Sequence, residues 1–271
     1  MRAAVSTGQF ETTLAGSQAP GEPSPGGGDE GSTTLQDAEL SVSRHGHTLM
    51  SVRLQPPPST AATPAHRAEL AVTSLAAPVD APLCVADFGG RDPVNVILLG
   101  LFDTWTKRSW VYAYSLTGRG ALVPLVHQDL GSPRGATVEA VAGHAILLTA
   151  DNAFVYVFAP FAGSAPPVRV LSLHGQRFVN ATRGYPSIVS KDARMWWHVY
   201  SSPGIGGSLG VLAAWVADEC VLGKGHIAWA TVRRLQAQGS LSSKVADGYP
   251  SGAAYVKALR SFLKKRGYCA S

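Results

Sequence analysis

Charge is scarce in this chain. Asp, Glu, Lys and Arg make up 15% of its 271 residues, against 45% for apolar residues. A chain so poor in charge can bury a core over most of its length, and its size allows one large domain or two small ones. Long apolar runs are missing as well. No stretch of about 18 consecutive apolar residues occurs, so no membrane-spanning helix is expected. The start, "MRAAVSTGQFETTLAG", lacks the continuous apolar core of a secretory signal. Cysteine is limited to Cys84, Cys220 and Cys269, none of them in a CxxC pair. So sparse and odd a set argues against structural zinc and for a reducing, intracellular setting.

Catalytic signatures are equally thin. There is no HExxH, no Cys/His cluster and no GxSxG nucleophile elbow. "RHGH" places His45 and His47 two residues apart, which could serve a metal but reads as an incidental pair. "VHQDLGSPRG" carries His127, Asp129, Ser132 and Arg134, a set that reads as a polar turn unless the fold makes it converge. The only adjacent acids in the folded part, Asp218 and Glu219, fall near the end of a predicted helix. Nothing in their spacing proposes acid–base chemistry. The chain reads as a non-enzyme with no cofactor and no metal.

What is present falls into three zones. Residues 1–66 form a low-complexity arm. "GSQAPGEPSPGGGDEGSTT" and "QPPPSTAATPAH" are too poor in large apolar side chains to offset the entropy of ordering, so disorder is expected there. Between them "AELSVSRHGHTLMSVRL" can form a strand or hairpin. Residues 67–271 are expected to be one globular domain, β-rich over 67–200 and helical and basic over 201–271. In the β-rich part, short β-branched or aromatic runs such as "VNVILLGLF", "SWVYAYSL", "AFVYVFA" and "MWWHVY" follow one another, bounded by Gly, Pro, Asp or Asn. "ILLGLFDTWTKRSWVYAYSLTG" is echoed by "ILLTADNAFVYVFAPFAG", which suggests a duplicated hairpin at a period of about 44 residues. "TADNAF" reads as its tight turn. The fold class that follows is α+β, a mostly antiparallel β-sheet body with C-terminal helices and a disordered N-terminal arm.

"SSPGIGGSLGVLAAWVADE" raises a nucleotide question, because a Gly-rich turn before a helix can cradle phosphate. The spacing of Gly204, Gly206, Gly207 and Gly210 does not fit GxGxxG, and no Gly-Lys-Ser/Thr occurs. The glycines are read as turning the chain. "HIAWATVRRLQAQG" can be strand or helix. "SGAAYVKALRSFLKKRG" is an amphipathic helix, with Tyr255, Val256, Leu259, Phe262 and Leu263 in one arc and Lys257, Arg260, Lys264 and Lys265 opposite.

Charge is distributed unevenly along the chain. Residues 1–80 carry four Arg against eight acids, whereas residues 201–271 carry nine Lys/Arg against three acids. An acidic head and basic tail point to a polyanion partner for the tail, the competing reading being a solvated basic helix. Candidate phosphate-binding residues are Arg233, Arg234, Lys257, Arg260, Lys264, Lys265 and Arg266, with no recognised base-reading motif beside them. Trp110, Tyr112 and Tyr114 share one strand face, to pack in a core or to stack on bases.

Ala, Ser and Pro number 38, 25 and 18, or 81 of 271 residues. With the basic pI, the low-complexity arm and the basic tail, this composition resembles the Pro-Ala-Ser-rich proteins of polymycoviruses. That resemblance lies in composition and charge and carries no site residue. It implies a viral RNA-binding coat protein or nucleoprotein that associates with RNA, double-stranded in that family. It further implies self-association into oligomers, no membrane, and a place in host cytoplasm within ribonucleoprotein or virion-like particles. The alternative is a structural or adaptor module without nucleic-acid binding. A third reading is an enzyme that binds a phosphate-bearing ligand at the Gly204–Gly210 loop.

Overall fold

In a computed structural model, the described residues are 2–7, 10–18, 33–53, 70–72, 83–88, 95–103, 108–116, 122–130, 136–202, 207–241 and 248–269. Antiparallel strands occupy the first two thirds and four α-helices close the chain, so the architecture is α+β. The chain divides into two compact units. One comprises Met1–Thr149 with Leu171–Val179, the other Ala150–Val170 with Asn180–Ser271. The division near residue 150 falls inside the 67–271 segment expected from the sequence to be one domain.

The first unit holds strands β1 (Arg2–Thr7), β2 (Phe10–Gln18), β3 (Thr33–Arg44), β4 (His47–Arg53), β5 (Leu70–Val72), β6 (Leu83–Asp87), β7 (Asn95–Asp103), β8 (Arg108–Leu116) and β9 (Leu122–Asp129). They form a nine-stranded sheet in the order β1-β2-β3-β5-β7-β8-β9, with β4 also on β3 and β6 also on β7. Strands β1 to β4 lie in the low-complexity arm, where β3 and β4 form the hairpin expected over 38–54 and β1 and β2 fall where disorder was expected. Strand pairing supplies what composition did not forecast. β2 pairs with β3 from Phe10↔Arg44 to Gln18↔Leu35, and β3 continues onto β5. Each strand's backbone groups are thus satisfied by a neighbour, and tertiary context overrides a weak local preference. The Pro/Gly-rich stretches 19–32 and 54–69 lie outside the described residues.

A second sheet contains β10 (Thr137–Val141), β11 (His144–Ala150), β12 (Val168–His174) and β13 (Arg177–Asn180) in that order. The first unit's core joins the two sheets through Val111 and Ala113 of β8, Leu147 of β11, Leu171 of β12 and Phe178 of β13. Phe88 meets Phe178 edge to face at 5.3 Å, the arrangement that ring quadrupoles favour. Tyr114, alternate in phase to Val111 and Ala113, is also buried, and burial raises its phenol pKa. It is a core residue. The side chains of Trp110 and Tyr112, the rest of the expected aromatic stripe, lie outside the described residues.

The second unit is built on α1 (Pro186–Ser201), α2 (Leu209–Val221), α3 (Gly225–Ala237) and α4 (Gly252–Lys265). "MWWHVY", expected as a strand, is the C-terminal half of α1. Val189, Ala193, Trp196 and Tyr200 are its buried residues, spaced four, three and four apart. That helical period emerges only when the window extends back through "SIVSKDAR". "AFVYVFA" is not a strand either. Asp151 accepts a hydrogen bond from the Ala153 N–H at 3.1 Å and caps a 3₁₀ turn over Asn152–Phe154. Phe154 and Phe158 then point into the helical core. The apparent repeat thus diverges: the first copy is the β7–β8 hairpin, whereas the second leaves β11 and wraps onto the helices. Phe154 and Phe158 both pack edge to face on Phe262 of α4, at 4.9 and 5.4 Å.

Helix α2 is central, with eleven of its thirteen residues buried. Its glycines serve packing and turning. Gly207, at φ +89, donates its N–H at 2.9 Å to the Tyr200 carbonyl in the last turn of α1. Gly210 lies against the 161–164 turn, where an added Cβ would collide with the Gly163 carbonyl oxygen and sit 3.1 Å from Ser164 Cα. Both neighbours are backbone and cannot rotate away. Gly210→Ala is therefore expected to destabilise the helical unit by about 2 kcal/mol, measured by urea unfolding.

Candidate nucleic-acid interface

Helix α3 buries Ala228 and Val232, and α4 buries Tyr255, Leu259 and Leu263, so each turns a polar face outward. "HIAWATVRRLQAQG" is resolved as helix by this packing. All seven cations singled out in the sequence are exposed: Arg233 and Arg234 on α3, Lys257, Arg260, Lys264 and Lys265 on α4, and Arg266 at its C-cap. Lys257, Arg260 and Lys264 lie on one stripe spanning about 10 Å at 1.5 Å per residue. The Arg260 guanidinium sits 4.8 Å from the centre of the Trp229 ring, tying the α4 stripe to α3 by a cation–π contact. Neither helix contains Asp or Glu. Over the whole unit, thirteen Lys/Arg stand against five acids, a net +8, whereas the other unit is net −3.

The face is mounted on a tightly held scaffold. The Tyr255 hydroxyl donates to the Leu209 carbonyl at 2.8 Å and pins the start of α4 to the start of α2. At its other end the Tyr268 hydroxyl donates to Asp151 Oδ2 at 2.8 Å. Burial raises the phenol pKa of both tyrosines. Next to Tyr268, Cys269 is joined by a disulfide to Cys220 at the end of α2. Sequence reading treated the three cysteines as separate thiols. Two that lie 49 positions apart are brought together because α4 runs alongside α2, start to start and end to end, which spacing along the chain could not reveal.

One buried acid was passed over in the sequence. Asp218 in α2 is 1% exposed, and neither of its carboxyl oxygens has a full hydrogen-bond partner. Burial, together with the Asp192 and Glu219 carboxylates nearby, pushes its pKa up to about 10. Asp192 Oδ2 accepts from the Val168 N–H at 2.8 Å and from Trp196 Nε1 at 3.0 Å. Asp218 therefore holds a proton beside the Asp192 carboxylate, in a packed helix interior.

Among the described residues, the other sequence candidates do not assemble into a site. His45 occupies the β3–β4 turn at φ +51 beside exposed His47, and no group of three His, Cys, Asp or Glu converges as a metal site among the described residues. His127 and Asp129 belong to β9, while Ser132 and Arg134 lie outside the described residues. Gly204 and Gly206 also lie outside them. The described start of α2 is closed by its own chain, because Ser208 is buried and its hydroxyl donates to the Gly163 carbonyl at 2.6 Å. Among the described residues, no helix is long and apolar enough to cross a membrane.

The fold and this face define a β-sheet unit and a compact four-helix unit with a cationic exterior. Comparison with known proteins bears on the helical unit. Residues 189–267 match the family described as the sll0997 C-terminal domain, a stretch that takes in most of α1 and all of α2, α3 and α4. The uncharacterized protein y4bJ of Sinorhizobium fredii (strain NBRC 101917 / NGR234) is 31% identical over 93 residues, which is 33% of this chain. The chain covers 15% of the length of that relative. No solved structure matches.

Proposed function

We propose that the helical unit is a non-enzymatic RNA-binding module of a coat protein or nucleoprotein, contacting the phosphates of duplex RNA without reading sequence. One observation carries this reading: all seven candidate cations are exposed on two adjoining helices that contain no acid. Such a surface has positive charge that its own helices do not neutralise. Its Lys and Arg side chains offer donors to phosphate oxygens, and release of condensed counterions drives binding. Self-association would line up copies of the face along a duplex and multiply a modest single-site affinity.

The test is a binding series with nuclease-treated protein on duplex RNA, single-stranded RNA and duplex DNA across salt. With six or seven phosphate contacts, duplex affinity is expected to fall by about 10³–10⁴ between 50 and 200 mM salt. Lys257→Glu with Arg260→Glu and Lys264→Glu should reduce the slope of log affinity on log salt by about 3. Affinity at low salt should drop by about 100-fold, with unfolding unchanged. Absence of binding to all three nucleic acids at low salt would overturn the reading in favour of an adaptor module.

A further inference from the structure

A cleft of about 430 Å³ opens in the helical unit where the 180–184 turn faces the chain just beyond α4. Its wall includes Asn180, Thr182, Arg183, Val221, Arg266 and Tyr268, and none of its described lining residues is acidic. The hydrogen bonds already made there decide what the wall has left to offer. Arg183 uses one terminal nitrogen, Nη2, on two backbone carbonyls, those of Gly267 at 2.9 Å and Tyr268 at 2.7 Å. Both acceptors are neutral, so its charge is not cancelled. Of five guanidinium donors, the three on Nε and Nη1 are unused among the described residues. The two bonds also fix the plane of the guanidinium before any ligand arrives, which lowers the entropy cost of using it.

Asn180 is oriented by the same logic. Its Oδ1 accepts from the Thr182 N–H at 3.0 Å and from the Thr182 hydroxyl at 2.6 Å. Two donors on one atom identify that atom as the carbonyl oxygen, which leaves the amide NH₂ as the group still to be satisfied. The Thr182 hydroxyl oxygen is in turn taken by the Val170 N–H at 3.0 Å. Backbone carbonyls on the wall are also occupied: those of Ala181 and Thr182 accept from the Gly184 and Tyr185 N–H groups. Arg266 contributes a second guanidinium, stacked 5.6 Å from the centre of the Phe262 ring. Among the described residues, two cations, one of them held in plane, and an amide NH₂ remain, while the acceptors are largely spent.

A wall of donors with net positive charge selects a ligand made of acceptors with negative charge. The cleft falls within the size range of small-molecule sites and far exceeds a bare oxyanion. Val221 and Ala181 supply apolar wall for the remainder of the ligand. We propose that this cleft binds a phosphomonoester carried on a nucleoside-sized group, with Arg183, Arg266 and Asn180 on the phosphate. The proposal does not rest on duplex binding, since Arg266 alone is shared with the cationic face.

The experiment is calorimetric titration of the full chain with adenosine 5′-monophosphate, adenosine and inorganic phosphate, followed by an RNA tetramer with and without a 5′-phosphate. One monophosphate per chain is expected, bound about tenfold or more tightly than adenosine. Arg266→Gln, which leaves the Arg183 bonds in place, should weaken monophosphate binding about tenfold, and Arg183→Lys should do the same by losing the planar fork. The triple charge reversal on α4 should leave it intact, which separates this cleft from the duplex face. A tetramer that binds only when 5′-phosphorylated would place an RNA end in the cleft, and exclusion of the tetramer would leave a free nucleotide as the occupant. Equal binding of adenosine and its monophosphate overturns the proposal. So does an Arg266→Gln variant that matches the wild type, or no saturable binding of phosphate or monophosphate by about 10 mM.

Discussion

Asp218→Asn is expected to stabilise the protein, and by more as pH rises. In the folded chain the Asp218 pKa is pushed up to about 10 by burial first and by the Asp192 and Glu219 charges second. In the unfolded chain the same carboxyl titrates near 3.8. Between those values the native state holds a proton that the unfolded state releases. Stability from this group is therefore fully present below about pH 4 and is lost as pH climbs toward 10, at up to about 1.4 kcal/mol per unit. The cost at pH 7 approaches about 4 kcal/mol as a ceiling, and water penetration brings the working figure to about 2–4 kcal/mol. Asn has the same shape and carries no charge, so it removes the linkage while still offering an NH₂ toward Asp192. Urea unfolding at pH 5, 7 and 9 is the check. The wild type should weaken steadily across the series, and the difference between variant and wild type should widen. Parallel pH profiles for the two proteins would show that Asp218 ionises freely in the fold.

The same residue shows where the sequence was legible and where it was not. The α+β class was readable because strand-like runs crowd the first two thirds and the arc of Tyr255, Val256, Leu259, Phe262 and Leu263 is long enough to declare a helix.

 The buried residues of α4 confirm that arc, and the exposure of its cations follows from it. α1 was hidden because its apolar residues are interleaved with Ser190, Lys191, Asp192 and Arg194, so a six-residue window around Trp196 and Trp197 looks like a strand. A window long enough to span Val189 to Tyr200 restores the period. Asp218 was invisible for a different reason. It sits beside Glu219 on a helix that, by amphipathic reasoning, should show acids to solvent. What buries it is the placement of α2 at the centre of the unit, a tertiary fact with no local signature. The cleft is of the same kind: Arg266 lies far from Asn180 and Arg183 in sequence, and only the return of the chain after α4 makes them neighbours.

Breaking the Cys220–Cys269 disulfide should cost the helical unit about 4 kcal/mol. The bond closes a loop across 49 positions, and chain-entropy reasoning for a loop of that length gives about 4 kcal/mol from restriction of the unfolded state. The folded state keeps other ties at the same place. Tyr268 remains bonded to Asp151, and Arg183 still holds the Gly267 and Tyr268 carbonyls. The expected result is therefore a folded unit of lower stability, with its helices intact. Cys220→Ala with Cys269→Ala should lower the urea midpoint as far as reductant lowers that of the wild type, and the double variant should not respond to reductant at all. Without reductant, denatured wild type should expose one reactive thiol, Cys84, and three after reduction. Three thiols before reduction would show that the bond does not form in the protein tested. The outcome also bears on where the module can work. A reducing compartment removes the bond, so the stability that the double variant retains is the stability available there. The chain segment that loses one of its ties on reduction carries Arg266, Gly267 and Tyr268, which form one side of the cleft. Monophosphate affinity should accordingly fall in the double variant, while duplex affinity, which depends on the stripe of Lys257, Arg260 and Lys264 within α4, should hold.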